Sequence, residues 1–256
     1  MKNRKTFHKL IRLLTAALFL FMQINPALAA AVTHSVDADF AGAKLRISDT
    51  DTTAIPKLEA YYQEAPADQY TAGLWHFDGN ANDSSGKGHN GTLVDTATVS
   101  GATQFMGNVL ALDGAGDYLT IPDSDDFTFG SGEFTIDFWL KRANTGAQTL
   151  FGQSNSGANY TPVGGFFTAG NAVQILFYTG TTQYSITSTQ TITDTAWHHI
   201  TVVRSGNTGI VFVDGINGGT VSLTGVTVNN STTLFAVGTV YEGVTSFSGN
   251  IDEFRI

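Results

Sequence analysis

The stretch Glu133-Phe134-Thr135-Ile136-Asp137-Phe138-Trp139-Leu140-Lys141 decides the fold class. Phe134, Ile136, Phe138 and Leu140 recur at every second position, and Glu133, Thr135, Asp137, Trp139 and Lys141 fill the alternate positions. Period-two alternation over nine residues specifies a β-strand whose two faces meet different surroundings. One face packs on a second sheet and the other meets solvent or a groove.

The same texture extends outward from this strand. Val109–Leu112 and Tyr118–Ile121 flank the glycine-rich connection Asp113-Gly114-Ala115-Gly116, and Trp197–Arg204 and Ile210–Asp214 flank Ser205-Gly206-Asn207. Both read as hairpins, and Asp214-Gly215 turns the chain again. Further strands are expected near 148–153, 164–168, 173–178, 182–188, 232–237 and 246–255. No ten-residue segment after position 70 has helical periodicity, and no repeat appears at a period of 20 to 50 residues. The expected architecture is all-β, one antiparallel sandwich.

Composition narrows the function classes. The 256 residues include no cysteine, which excludes disulfides, thiolate metal sites and cysteine nucleophiles. A formal charge of −9 argues against non-specific nucleic-acid binding, which needs a basic face. Charged residues make up 14% and hydrophobic residues 42%, enough for a packed core.

Residues 1–29 read as a secretory signal. Lys2, Arg4, Lys5, Lys9 and Arg12 form a basic start, Leu13–Met22 an apolar run too short to span a bilayer comfortably, and Ala27-Leu28-Ala29 a small-residue cleavage site. Removing those five cations takes the formal charge from −9 to −14. The expectation is an acidic, soluble, exported protein, secreted or periplasmic and of bacterial origin, with no membrane insertion after cleavage. Residues 30–70 lack clear periodicity and read as a leader or linker, with one short helix possible over 55–62. The main domain then spans 71–256.

Five segments in order carry a family resemblance: Gly73–Thr92 (with Trp75-His76-Phe77-Asp78-Gly79), Leu112–Ile121, Phe134–Lys141, Trp197-His198-His199-Ile200 through Val213-Asp214-Gly215, and Gly249–Ile256. Together they resemble the laminin G-like domains of the concanavalin A-like lectin/glucanase superfamily, in the form common in bacterial secreted proteins. The resemblance covers about Thr71 to the C-terminus and implies a jelly-roll β-sandwich of two antiparallel sheets. It implies no single activity, because this fold hosts lectins, adhesion modules and glycosidases. Relatives usually continue past the last strand, whereas this sequence stops at Ile256, so a fragment and a minimal domain are both expected readings.

Oxygen donors crowd the segment 78–90: Asp78, Asn80, Asn82, Asp83, Ser84 and Ser85. Calcium takes six to eight oxygens and tolerates irregular geometry. An EF-hand is excluded, because its sixth position would be Asp83 and its twelfth His89. The resemblance suggests that Asp252 supplies a further carboxylate from the last strand. A structural calcium held by Asp78, Asn80, Asp83 and Asp252 is one expectation, and a self-bonded Asx-rich turn is the other.

No catalytic residues are expected. The Glu-x-Asp-x-x-Glu run of the glucanase branch is absent, and Glu133 and Asp137 are separated by roughly 13 Å at strand rise. Neither a Gly-x-Ser-x-Gly elbow nor a His-Glu-x-x-His pair occurs. His198 and His199 point to opposite faces, so they cannot readily share one ion. Trp139 faces away from the core strip and suits stacking on a sugar ring, with Tyr160, Tyr178, Tyr184 and Tyr241 as further candidates for a groove. A loop roofing Trp139 into a satellite core is the competing reading. The expected function is a non-catalytic binding module for carbohydrate or an extracellular protein partner. The alternatives are a structural or adhesive spacer of a larger surface or phage-like protein, and a glycoside hydrolase-related domain.

Overall fold

The computed structural model describes residues 36–39, 44–47, 67–103, 107–153, 161–240 and 246–256. The expected signal segment, the helix over 55–62, Tyr160 and Tyr241 lie outside the described residues. The chain divides into two units, 1–57 and 58–256. In the first, β1 (Val36–Asp39) and β2 (Lys44–Ile47) pair antiparallel, Val36 opposite Ile47.

The second unit is a two-sheet antiparallel sandwich. Its strands are β3 (Leu74–Trp75), β4 (Thr92–Val94), β5 (Thr98–Thr103), β6 (Gly107–Asp113), β7 (Tyr118–Ile121), β8 (Phe134–Arg142), β9 (Gln148–Gln153), β10 (Val163–Phe167), β11 (Ala172–Tyr178), β12 (Gln183–Thr191), β13 (Trp197–Ser205), β14 (Thr208–Val213), β15 (Ile216–Ser222), β16 (Phe235–Val237) and β17 (Ser248–Arg255). Sheet I runs β15-β14-β13-β8-β17-β6-β5, with β3 also paired to β17, and sheet II runs β12-β11-β10-β9-β16-β7-β4. Among the described residues there is no α-helix, only a 3-10 turn at Asp125–Phe127 capped by the Ser124 side chain. No helix there is long and apolar enough to cross a membrane.

β8 sits mid-sheet between β13 and β17, and its alternation is realised: Ile136, Phe138 and Leu140 are fully buried, while Asp137, Trp139 and Lys141 are half-buried on the other face. Sheet II answers with Leu150, Phe151, Val173, Ile175, Phe177 and Phe235. Aromatic rings link the sheets: Phe138, stacked on its sheet I neighbour Phe254 with centroids 5.3 Å apart, meets Phe151 of sheet II edge-on at 5.7 Å. Burying each such ring stabilises the fold by about 1.5–3 kcal/mol through the water it sheds. Two arginines close the sandwich ends. Arg142 donates to the carbonyls of Ile192 and Gly146 and lies over the Phe167 ring at 3.9 Å; Arg204 donates to the carbonyls of Gly130 and Val226.

Candidate functional site

The outer face of sheet I carries an ordered grid of polar and aromatic side chains. Residues directly opposite on antiparallel neighbours share a face. Across β13, β8 and β17 the register puts His199 opposite Trp139 and Trp139 opposite Asp252; the next row holds Thr201, Asp137 and Arg255. The Trp139 and His199 rings have centroids 4.9 Å apart, tilted by 38°. Asp137 Oδ2 accepts from Arg255 Nε at 3.0 Å, and His199 Nε2 lies 3.4 Å from Oδ1. Both carboxylate oxygens of Asp137 are therefore engaged by cationic or ring nitrogen.

A bulge builds this grid. Strict alternation along β17 would send Phe254 outward and Arg255 inward. The ladder to β8 shifts register between Asp252 and Arg255, and the extra residue, Glu253, has φ of 50°. Phe254 thereby enters the core, and Arg255 reaches the face of Asp137. A left-handed backbone at a non-glycine residue costs on the order of 1 kcal/mol. The Glu253 carboxylate is held by His76 Nδ1 at 2.8 Å.

At the Asp137 end the outer face opens into a groove of about 720 Å³ whose lining includes Thr135, Asp137, Val203 and Ser205, all outer-face positions of β8 and β13. One wall is the segment 68–72. Asp68 Oδ1 accepts from the Tyr70 N–H and the Thr71 hydroxyl, a tight turn that presents Tyr70 with 81% of its surface exposed. The backbone hydrogen bonds to Tyr70 and the Thr71 hydroxyl bond hold the Asp68 carboxyl below its ordinary range. Ala72 and Gly73 N–H both donate to the Ile256 carbonyl, which fastens this wall to the end of β17. The lining also includes Asp126, Phe129 and Glu133.

The oxygen-rich segment behind β3 is organised by Asp83. Its Oδ1 accepts from the N–H of Leu74 (3.0 Å) and Ser85 (2.8 Å), and its Oδ2 from the Ser85 hydroxyl (2.7 Å) and the His89 N–H (2.9 Å). Burial opposes ionisation, but these donors outweigh it and lower the pKa from the ordinary 3.8. Asn80 Oδ1 accepts from the Asn82 N–H, and the exposed Asp78 accepts from the Asn108 N–H. β3, which leads into this loop, pairs with the last strand, Trp75 opposite Phe254. Asp252 is fully buried, and its Oδ1 accepts from the Glu253 N–H. Among the described residues no group of three or more His, Asp or Glu is arranged to hold a metal ion. A calcium taking Asp83 as ligand would have to displace N–H or O–H donors that already fill its lone pairs, so the donor set does not fit an ion centred on Asp83.

His198 and His199 do diverge. His198 is clamped between Asp214 (Nδ1, 2.7 Å) and Asp194 (Nε2, 2.9 Å). Burial opposes its protonation, yet the two carboxylates prevail and raise its pKa above the ordinary 6.5. Tyr178 and Tyr184 belong to β11 and β12 of sheet II, so they cannot share the face of Trp139, which corrects their expected place in one groove. Sequence reasoning missed Tyr70 and Arg255. The Asp68-x-x-Thr71 turn was the available signal for the first; the bulge at Glu253 concealed the second.

The comparisons agree with this architecture. Domain 4 of an extracellular GH43 arabinanase from Geobacillus stearothermophilus, solved with arabinotriose, is 19% identical, with a TM-score of 0.58 over 75% of this chain and 92% of that one. The binding domain of botulinum neurotoxin DC, solved with SialylT, is 11% identical, with a TM-score of 0.57 over 73% and 47%. The binding domain of Paraclostridial Mosquitocidal Protein 1 is 16% identical, with a TM-score of 0.52 over 68% and 45%. The chain thus spans about half the length of these toxin structures. At such identities the likeness is one of fold. No curated protein matches the sequence. The laminin G model of the concanavalin A-like lectin/glucanases superfamily matches residues 113–256, more than half of the chain, and the protein belongs to that family.

Proposed function

We propose that this protein is a non-catalytic carbohydrate-binding module, exported from a bacterial cell. The single observation that carries the reading is Trp139, half-buried on the outer face of sheet I, braced by the His199 ring and one outer-face position along β8 from Asp137, which lines the groove. An indole already held against a neighbouring ring offers an apolar surface at little entropic cost, and the CH-rich face of a pyranose or furanose matches it. Asp137 beside it is committed to Arg255 and His199, an arrangement that positions rather than reacts. Glu133 Oε1 accepts from the Gly206 N–H, so this carboxylate too serves the scaffold. Supporting the reading, the arabinanase domain was solved with an oligosaccharide.

Calcium is carried as a proposal on the hard oxygens of Asp78, Asn80 and Asp252, with Asp83 left to the turn it organises. Its role would be structural, fastening the loop to the last strand.

Screening the chain and its Trp139→Ala variant on a glycan array tests the function. Binding by the wild type that disappears in the variant supports it. Absence of signal from the wild type, or equal signal from both, overturns it.

A further inference from the structure

Resting on the carbohydrate reading, we infer that the groove between Tyr70 and Glu133 is a second part of the same binding track and that it selects neutral glycans over anionic ones. The positions Thr135, Asp137 and Trp139 follow one another on one face of β8. At strand rise, each step is about 6.5–7 Å, so groove floor and indole form one line about 13 Å long. That length suits an extended oligosaccharide better than a single sugar. Tyr70, exposed in the groove lining, supplies a second aromatic side chain and is held by the Asp68 turn.

The charge of the lining sets the ligand class. Asp68, Asp126, Glu133 and Asp137 all border the groove, against Arg204 and Arg255. Arg204 is withheld from a ligand, and the charge of Arg255 is offset by Asp137. Arg204 is 2% exposed and donates to the carbonyls of Gly206, Gly130 and Val226. Arg255 donates to Asp137. Sugar hydroxyls donate well to carboxylates, in short charge-assisted bonds. A carboxylate or sulfate on the ligand would meet a lining of net negative charge, with Asp68, Asp126 and Glu133 left over once Arg255 is offset by Asp137, which is discrimination by repulsion.

The test is calorimetric titration of the full chain with neutral arabino-, xylo- and gluco-oligosaccharides and with sialylated lactose, using wild type and Tyr70→Ala. Tyr70 is exposed, so its removal leaves the core intact, which a thermal melt checks. The expected result is binding of at least one neutral series, at least tenfold weaker in Tyr70→Ala, and no binding of the sialylated probe. Neutral binding unchanged in Tyr70→Ala, or tighter binding of the sialylated probe, overturns the groove while leaving a carbohydrate-binding protein. No binding of any sugar by the wild type overturns both.

Discussion

Trp139 and His199 stand directly opposite each other on β8 and β13, their ring centroids 4.9 Å apart, on the face of the sheet that turns away from the core. Cross-strand aromatic pairs contribute about 0.5–1.5 kcal/mol beyond their burial. His199→Ala is expected to cost about that much stability and to weaken glycan binding several-fold by freeing the indole. His199→Phe restores both. Chemical denaturation and near-ultraviolet circular dichroism of the tryptophan band read the two effects separately.

Asp83 accepts four hydrogen bonds, one from the start of β3 and three from its own loop. Asp83→Ala leaves buried N–H donors unpaired and is expected to destabilise by about 2–3 kcal/mol, seen as a lowered denaturation midpoint. Its folded pKa lies below 3.8, so the stabilisation is complete above that value and is lost as pH falls through the depressed folded pKa. An acid titration of stability should show this limb in the wild type and lack it in Asp83→Ala.

The calcium proposal separates cleanly from the turn. Thermal unfolding in excess EDTA and in millimolar calcium should differ if the ion binds only the folded chain, and the difference should vanish in Asp252→Ala. Equal midpoints in the wild type would leave the loop's support to its hydrogen bonds, those of Asp83 among them.

His198 gives the opposite pH dependence. Its folded pKa is raised above 6.5 by Asp194 and Asp214 despite burial, so its contribution is complete below 6.5 and fades as pH climbs through the raised value. Stability measured by denaturant at pH 5 to 9 should fall across that window, and His198→Gln should flatten the curve.

Glu253 combines a φ of 50° with an ion pair to His76. Glu253→Val places a β-branched residue in the left-handed region and should destabilise by about 1–3 kcal/mol. Glu253→Gly should cost less, because glycine takes that conformation freely. Denaturation midpoints of the two variants give the order directly.

The core strands were legible because their positions alternate against two apolar layers, as β8 does. Besides the short β1, β2 and β3, the strands the sequence concealed are β4, β5 and β15, and each of these three is the last strand at an edge of its sheet. Edge strands pack on one neighbour only and carry polar residues and glycines, such as Gly218 and Gly219 in β15, so periodicity has little to act on. The outward direction of Trp139 followed from alternation alone. Its cross-strand neighbours His199 and Asp252, and Arg255 in the next row, lie 60 or more positions away and come together only through register. The parity break at Glu253 has no local signature, so Arg255 beside Asp137 emerges only from the folded ladder. The loop at 78–90 showed its oxygens in sequence but not that Asp83 gathers four donors.

The central claim is recognition of a glycan by the outer face of sheet I, and calorimetric titration of neutral oligosaccharides into wild type and Trp139→Ala tests it most directly. The prediction is saturable binding by the wild type and a loss of at least tenfold in the variant, with thermal midpoints within a few degrees of each other, since a half-exposed side chain contributes little to the core. Binding that survives the substitution unchanged would contradict it.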